Sequence, residues 1–294
     1  MSGPRHVFAV SSAGRLLTVA ADDRMAAWWP RLAPHVPGAD SAGLAVLSSG
    51  GSSADLSLAS RIGLGDARRL INVRLQRLHL GYDVLSLHAV ALVRPGCGSS
   101  VVLLGGHGAG KTLVAIALAQ AGWLPVSGDL ALLRVGPQPA VLGGTSAFLA
   151  RPEAVRRWFP GLHLPELDTD RVDLRGRWGS VAQLGPWPVR AAVLVDVDGD
   201  PAAQLEQPKT VDAHTAVSAW LRASTHLLDR ILDSSPEVLR LVEDEGSARR
   251  RVELVRHLAD QLPLHTAWGA PQFIASRIDE LVPAGDDVME GAVG

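Results

Sequence analysis

Ser100–Thr112 reads Ser-Val-Val-Leu-Leu-Gly-Gly-His-Gly-Ala-Gly-Lys-Thr, an apolar run that breaks into glycines and ends on a lysine and a threonine. Its last eight residues match G-x-x-x-x-G-K-[ST], the pattern of a phosphate-binding loop. Gly105, Gly106, Gly108 and Gly110 permit backbone angles that turn successive N–H groups inward on phosphates, with His107 and Ala109 between them. Lys111 is a flexible point charge that reaches β- and γ-phosphates, and Thr112 offers a hydroxyl to Mg²⁺. The flanks agree with this reading. Ser100–Leu104 has the character of a buried strand, and Thr112–Gln120 that of an apolar helix with its N-terminal amides on the anion. Gly122 suits a left-handed cap at the helix end. Only one other lysine, Lys209, occurs among 28 basic residues, so a lysine at this position does not follow from a lysine-rich composition. ATP with Mg²⁺ is the expected ligand pair.

The bulk composition narrows the remaining classes. At 294 residues, with 47% apolar and 20% charged, the chain can bury a sizeable core. A net charge of −2 gives no basic excess to neutralise a nucleic-acid backbone, so no nucleic-acid partner is expected. The single cysteine, Cys97, excludes an internal disulfide and a cysteine-rich metal site. No apolar run approaches the ~20 residues of a membrane span, and Met1–Ala20 lacks a continuous apolar segment of signal-peptide type. A cytoplasmic location and no membrane partner are therefore expected.

Three parts follow from the pattern: an N-terminal region over 1–80, a core over 81–282 and a disordered tail over 283–294. His6–Val10 and Leu16–Ala20 flank a Ser-Ser-Ala-Gly turn and predict a hairpin, and Asp66–Leu80 predicts a helix. Asp83–Val93 reads as one strand that turns at Arg94–Gly98 into the strand entering the loop. A turn centred near Gly96–Cys97 places His88 opposite Gly105 or Gly106, at the loop mouth. Leu124–Ser127 and Leu130–Val135 read as short strands bracketing Gly128-Asp129, and Asp129 follows Thr112 by 17 residues. A carboxylate there serves either as a Mg²⁺ ligand and proton acceptor or as an ordinary turn residue. Pro152–Phe159 reads as a short amphipathic helix. Pro165–Gly179, with Asp168, Asp170, Arg171 and Asp173, reads either as a mobile loop over the phosphates or as a solvated connection. Val189–Val197 is a buried strand, and Asp196 near its end is either a second acid of the nucleotide site or part of a Gly199-Asp200-Pro201 turn. Val211–Leu232, Pro236–Leu262 and Pro271–Leu281 predict helices, with a short strand at Leu264–Trp268.

The segment from His88 to Val135 resembles the HPr kinase family and its smaller relatives. The resemblance rests on Leu87-His88-Ala89-Val90, the Gly105–Thr112 loop, Ala121-Gly122-Trp123 and Ser127-Gly128-Asp129. The Pro152-Glu153-Ala154 helix start, Asp170-Arg171, the strand Pro188–Val195 and Leu262-Pro263-Leu264 extend it over most of 80–280. It implies an α/β fold with the mixed β-sheet core of HPr kinase and PEP carboxykinase, preceded by a small N-terminal α+β region. It also implies transfer of the ATP γ-phosphate to a Ser- or Thr-type hydroxyl of a carrier protein, a peptide or a small molecule such as free serine. By that likeness Lys111 and the loop amides hold the γ-phosphate, Thr112 is a Mg²⁺ ligand, His88 orients the acidic base, and an acid of the pair at 128–129 takes the hydroxyl proton, a role that falls here to Asp129 or His88. Where the family carries two successive acids this chain has Gly128 followed by Asp129, and a nucleotide-binding regulator without efficient transfer is the alternative. A guanine-specific Asn-Lys-x-Asp is absent, since the only asparagine, Asn72, precedes Val73.

Overall fold

The computed structural model describes residues 6–49, 53–165, 170–179, 185–197, 200, 208–232 and 243–282. The expected tail from 283, Asp168, Gly199 and the first residues of the helix expected at Pro236 lie outside them.

The first sheet is local. Strands β1 (His6–Ser12) and β2 (Arg15–Ala21) form the expected hairpin, β3 (Leu44–Ser49) pairs with β1, and β4 (Leu56–Ser57) pairs with β2. Helix α1 (Arg24–Leu32) and helix α2 (Leu64–Leu80) cover one face. Ala67, Ile71 and Leu75, spaced four apart on α2, meet Phe8, Val10, Val19, Met25 and Trp29 in one buried cluster. Other faces of α2 reach into the rest of the molecule, through Val73 and Leu80.

From Val84 onward the chain builds a second, mixed sheet. Its elements in order are β5 (Val84–His88), β6 (Val90–Val93), β7 (Ser100–Leu104), α3 (Lys111–Gln120), β8 (Leu124–Ser127), β9 (Leu130–Arg134) and β10 (Ala140–Gly144). There follow β11 (Leu149–Ala150), α4 (Pro152–Trp158), β12 (Val172–Asp173), β13 (Trp187–Val197), β14 (Lys209–Thr210), α5 (Ala213–Leu232), α6 (Glu245–Gln261), β15 (Leu264–Gly269) and α7 (Pro271–Leu281). The order β5-β9-β10-β13-β7-β6-β8 carries β15 as a branch on β13 and β14 on β15. The centre is parallel, with β13 between β7 and β15, and the flanks are antiparallel. The chain is thus an α/β protein, as expected.

Central strands are apolar on both faces because helices cover both. Along β7 the side chains alternate. Val101 and Leu103 pack with Val114, Leu118 and Ile274 from α3 and α7, and Val102 and Leu104 pack with Trp220, Leu254 and Leu258 from α5 and α6. Among the described residues no helix is long and apolar enough to cross a membrane.

One expectation needs correction. The hairpin into the loop forms in the expected register, with Val90 opposite Leu103 and Val93 opposite Ser100. However, 83–93 is not one strand. It breaks at Ala89, and β5 leaves β7 to pair with β9, so that His88 lies opposite Leu130 rather than Gly105 or Gly106. The cause is cross-strand pairing. Residues 124–134 run antiparallel beside 84–93, in one register across the break from Val84 opposite Arg134 to Ala91 opposite Ser127 and shifted by one residue beyond it, so the two segments change course together.

Trp123 ties three elements at the far end of α3. It is 1% exposed, its indole N–H donates to Asp279 of α7 at 2.8 Å, and Asp279 also pairs with Arg94 of the hairpin turn at 3.0 Å. Trp123→Ala is expected to cost about 3–5 kcal/mol through the cavity and the lost hydrogen bond, read as a lower urea midpoint at unchanged slope.

Candidate functional site

The glycine-rich loop fills the step from β7 to α3 at the carboxyl ends of the parallel strands, where open α/β sheets leave a crevice. Its shape is set by the neighbouring strand. Val197 at the end of β13 donates its N–H to the Ala109 carbonyl at 3.0 Å. A side chain at Gly110, where φ is +85°, would overlap the Val197 side chain, and one at Gly105 would stand 2.8 Å from the Val195 carbonyl oxygen. These are the two glycines that the sequence pattern demands, and here the floor of the loop excludes a Cβ at both. Lys111 folds back, 9% exposed, and its ammonium donates to the carbonyls of Gly105 and Gly106 at 2.9 and 3.1 Å. Thr112 follows on the first turn of α3.

Asp129 reaches the same crevice from the kinked strand pair. Ala89 donates its N–H to the Asp129 carbonyl at 3.0 Å, and the N–H groups of Asp129 and Leu130 both donate to the buried Thr145 hydroxyl at 3.0 Å. Gly128-Asp129 is therefore no tight turn but a crossing from β8 to β9. The Asp129 carboxylate lies 3.4 Å from His88 Nε2. On the other face of His88 the ring of His226, from α5, stacks at 3.8 Å with 13° between planes. Sequence reasoning missed His226, because a histidine within a long helix gives no sign of which way it points.

One cavity of about 400 Å³ unites these groups. Lys111, Thr112, His107, Gly108, Ala109, Gly110, His88 and Asp129 line it, together with His226. Gly105 and Gly106 stand behind the loop as acceptors of the Lys111 ammonium. Among the described residues that line it are the cations Arg68, Lys111, Arg151 and Arg171 and one acid, Asp129. Arg171 is carried there by the charged stretch noted in the sequence, which β12 anchors on β11. His35 and Arg68 come from the N-terminal region, which offered no local motif for them. Asp196 is exposed on β13 and is not among the residues lining this cavity. A wider cavity of about 630 Å³ adjoins at Gly128, walled by Phe148, Trp178 and Trp187.

Electrostatics follow from this crowding. Burial pushes the Lys111 ammonium down to about 8, against the opposing pull of the Asp129 carboxylate. For Asp129 burial acts to raise the value, but the His88 hydrogen bond and the positive charges of His88, His226 and Lys111 outweigh it and hold the carboxyl at about 2. Its side chain keeps 55% of its surface open, and that surface faces a concave, cation-lined space. Burial, and next the charge of Arg68, lower His35 as well. No protein family matches the chain, and no curated protein matches it significantly.

Gly128 has a steric cause. A Cβ there would overlap the Ala147 carbonyl oxygen, so the backbone of 147 occupies the space of an acidic side chain. Gly128→Ala is expected to cost more than about 2 kcal/mol in urea unfolding, since neither backbone can give way without breaking the Thr145 clamp. A second test concerns Lys111. Its folded value lies below the unfolded one, so folded protein binds fewer protons between about 8 and 10.5, and stability rises with pH through that window. Lysine Cε resonances, of which the exposed Lys209 supplies the only other, are expected to show a midpoint near 8 that moves upward on adding pyrophosphate.

Proposed function

We propose that the chain is an ATP-dependent kinase of HPr-kinase-like type, acting on a hydroxyl of a peptide, carrier protein or small molecule. The observation that carries the reading is the single cavity shared by Lys111 and its glycine-rich loop with the His88–Asp129 pair. The mixed sheet, with the loop between a parallel central strand and an apolar helix, is compatible with the HPr kinase and PEP carboxykinase type of core, and that assignment belongs to this proposal.

Transfer of a γ-phosphoryl group is catalysed mainly by positioning and charge neutralisation. In this reading the Lys111 ammonium exchanges its two carbonyl partners for phosphate oxygens, and loop N–H groups supply the remaining donors. Thr112 and Asp129 offer hard oxygens to Mg²⁺, which would neutralise phosphate charge. Among the described residues no group of three or more His, Cys, Asp or Glu side chains gathers as a metal centre. The remaining Mg²⁺ ligands would therefore be phosphate and water oxygens. As the acceptor oxygen bonds to phosphorus and the β–γ bridging bond breaks, the hydroxyl proton passes to Asp129. The Asp129 carboxyl, held at about 2 by His88 and its other positive neighbours against burial, would be anionic at neutral pH and able to orient that hydroxyl.

Protein incubated with Mg²⁺ and γ-labelled ATP is expected to label a hydroxyl acceptor. Lys111→Ala is expected to remove the label, and Asp129→Asn to lower kcat by about 10²–10⁴. Tight ATP binding with no transfer to any acceptor would instead establish a nucleotide-binding regulator, and full turnover by Asp129→Asn would remove Asp129 from its role.

A further inference from the structure

We propose that His226 is a positioning residue, whose flat ring holds the His88 imidazole with Nε2 turned to the Asp129 carboxylate. Its bearing on phosphoryl transfer rests on the kinase reading, whereas its hold on His88 rests on the stacking geometry.

The torsion that turns an imidazole about its Cβ–Cγ bond is broad, so a strand alone does not set the plane of the ring. His88 is the last residue of β5, and its Nε2 lies 3.4 Å from the Asp129 carboxylate. An ionised carboxylate accepts hydrogen bonds and donates none, so this contact requires a proton on Nε2. Rotation of the ring out of its plane would carry that nitrogen off the acid. The His226 ring opposes such rotation. It lies against one face of His88, with centroids 3.8 Å apart and 13° between planes. Two rings at that spacing are in van der Waals contact, and a turn of either drives its edge into the other.

His226 is fixed in turn by its neighbours on α5. Leu227 and Leu228 pack with Val73 of α2 and with Leu130, which follows Asp129 and stands opposite His88 in the β5–β9 ladder. Ser224, 1% exposed, accepts from the Gln76 amide of α2 at its carbonyl, at 3.2 Å. The Ser224 hydroxyl lies 3.4 Å from the guanidinium of Arg251 on α6, and Arg251 pairs with Glu243 through two bonds of 2.8 Å. Rotation of α5 would leave these buried polar groups unpaired, which sets the direction in which residue 226 projects. Small displacements within a catalytic constellation cost rate, so a ring fixed on packed elements is suited to this task. The charge of His226 also lowers Asp129, but less than the hydrogen bond and the charge of His88 do. A planar face is then the property that matters most, and a phenyl ring has one.

The test compares His226→Ala, His226→Leu and His226→Phe by two readouts. One is transfer from γ-labelled ATP to free serine or a serine peptide. The other is the Nε2–H proton of His88, followed by NMR in protein carrying isotope-labelled histidine and assigned with His88→Gln. His226→Ala and His226→Leu are expected to lower kcat about tenfold or more with KM for ATP unchanged, and to lose the slowly exchanging proton to water. His226→Phe is expected to keep the proton signal and to hold kcat within about threefold of wild type. Leucine fills the volume without a flat face, so equal behaviour of the Leu and Phe variants overturns the inference. Wild-type kcat and proton signal in His226→Ala overturn it as well, as does a Phe variant no better than Ala. Should the wild type transfer no phosphate, that failure falls on the kinase reading. The proton signal across the three variants then still decides whether His226 positions His88.

Discussion

Ala89 donates its N–H to the Asp129 carbonyl at the point where two long strands kink together, and the convergence of the cavity's groups follows from that hydrogen bond. On one side of the kink β6 stays paired with β7, which feeds directly into the glycine-rich loop. On the other side β5 turns away with β9 and carries His88 toward α5, where His226 covers it. A straight strand would have set His88 against the loop backbone and left Asp129 without its partner. The kink instead puts the imidazole on the carboxylate and both in the space that Lys111 borders. Thr145 fixes the crossing by accepting two successive N–H groups, so the acid is held by backbone geometry as well as by its side-chain partner.

The most buried cation of the cavity, Lys111, turns its ammonium on two carbonyl oxygens of its own loop. Carbonyl dipoles compensate a buried charge poorly, which is why burial drags that ammonium down to about 8. An anion beside Lys111 would relieve that desolvation cost, which is the physical basis on which the proposed nucleotide would bind. Such tension is expected where function, rather than stability, selects the charges.

The parts of this arrangement that were legible in the sequence are those set by local chemistry. The loop pattern carries its own steric logic, and the Arg94–Gly98 turn fixes the hairpin register down to Val90 opposite Leu103. Lys111, Thr112, His88 and Asp129 could therefore be picked out as neighbours. The break at Ala89 could not, because it depends on a ladder with residues some forty positions away. His226, Arg68 and His35 were invisible for a related reason. Their direction depends on how α5 and the N-terminal sheet dock on the core, and no local periodicity encodes the rotation of one packed element against another.

Gly128 shows most clearly where residue type alone misleads. As a letter it is a missing acid, and it suggests a site that has lost a catalytic group. As a structure it is a place where the Ala147 carbonyl stands in the position of a side chain. Ala147 is held there by its own N–H, which donates to Pro34 of the N-terminal region. The docking of that region, which also delivers His35 and Arg68, is therefore geometrically incompatible with a second acid at 128. The chain has one arrangement or the other. Having this one, it lines the cavity, among the described residues, with Asp129 as its acid and with cations drawn from both regions.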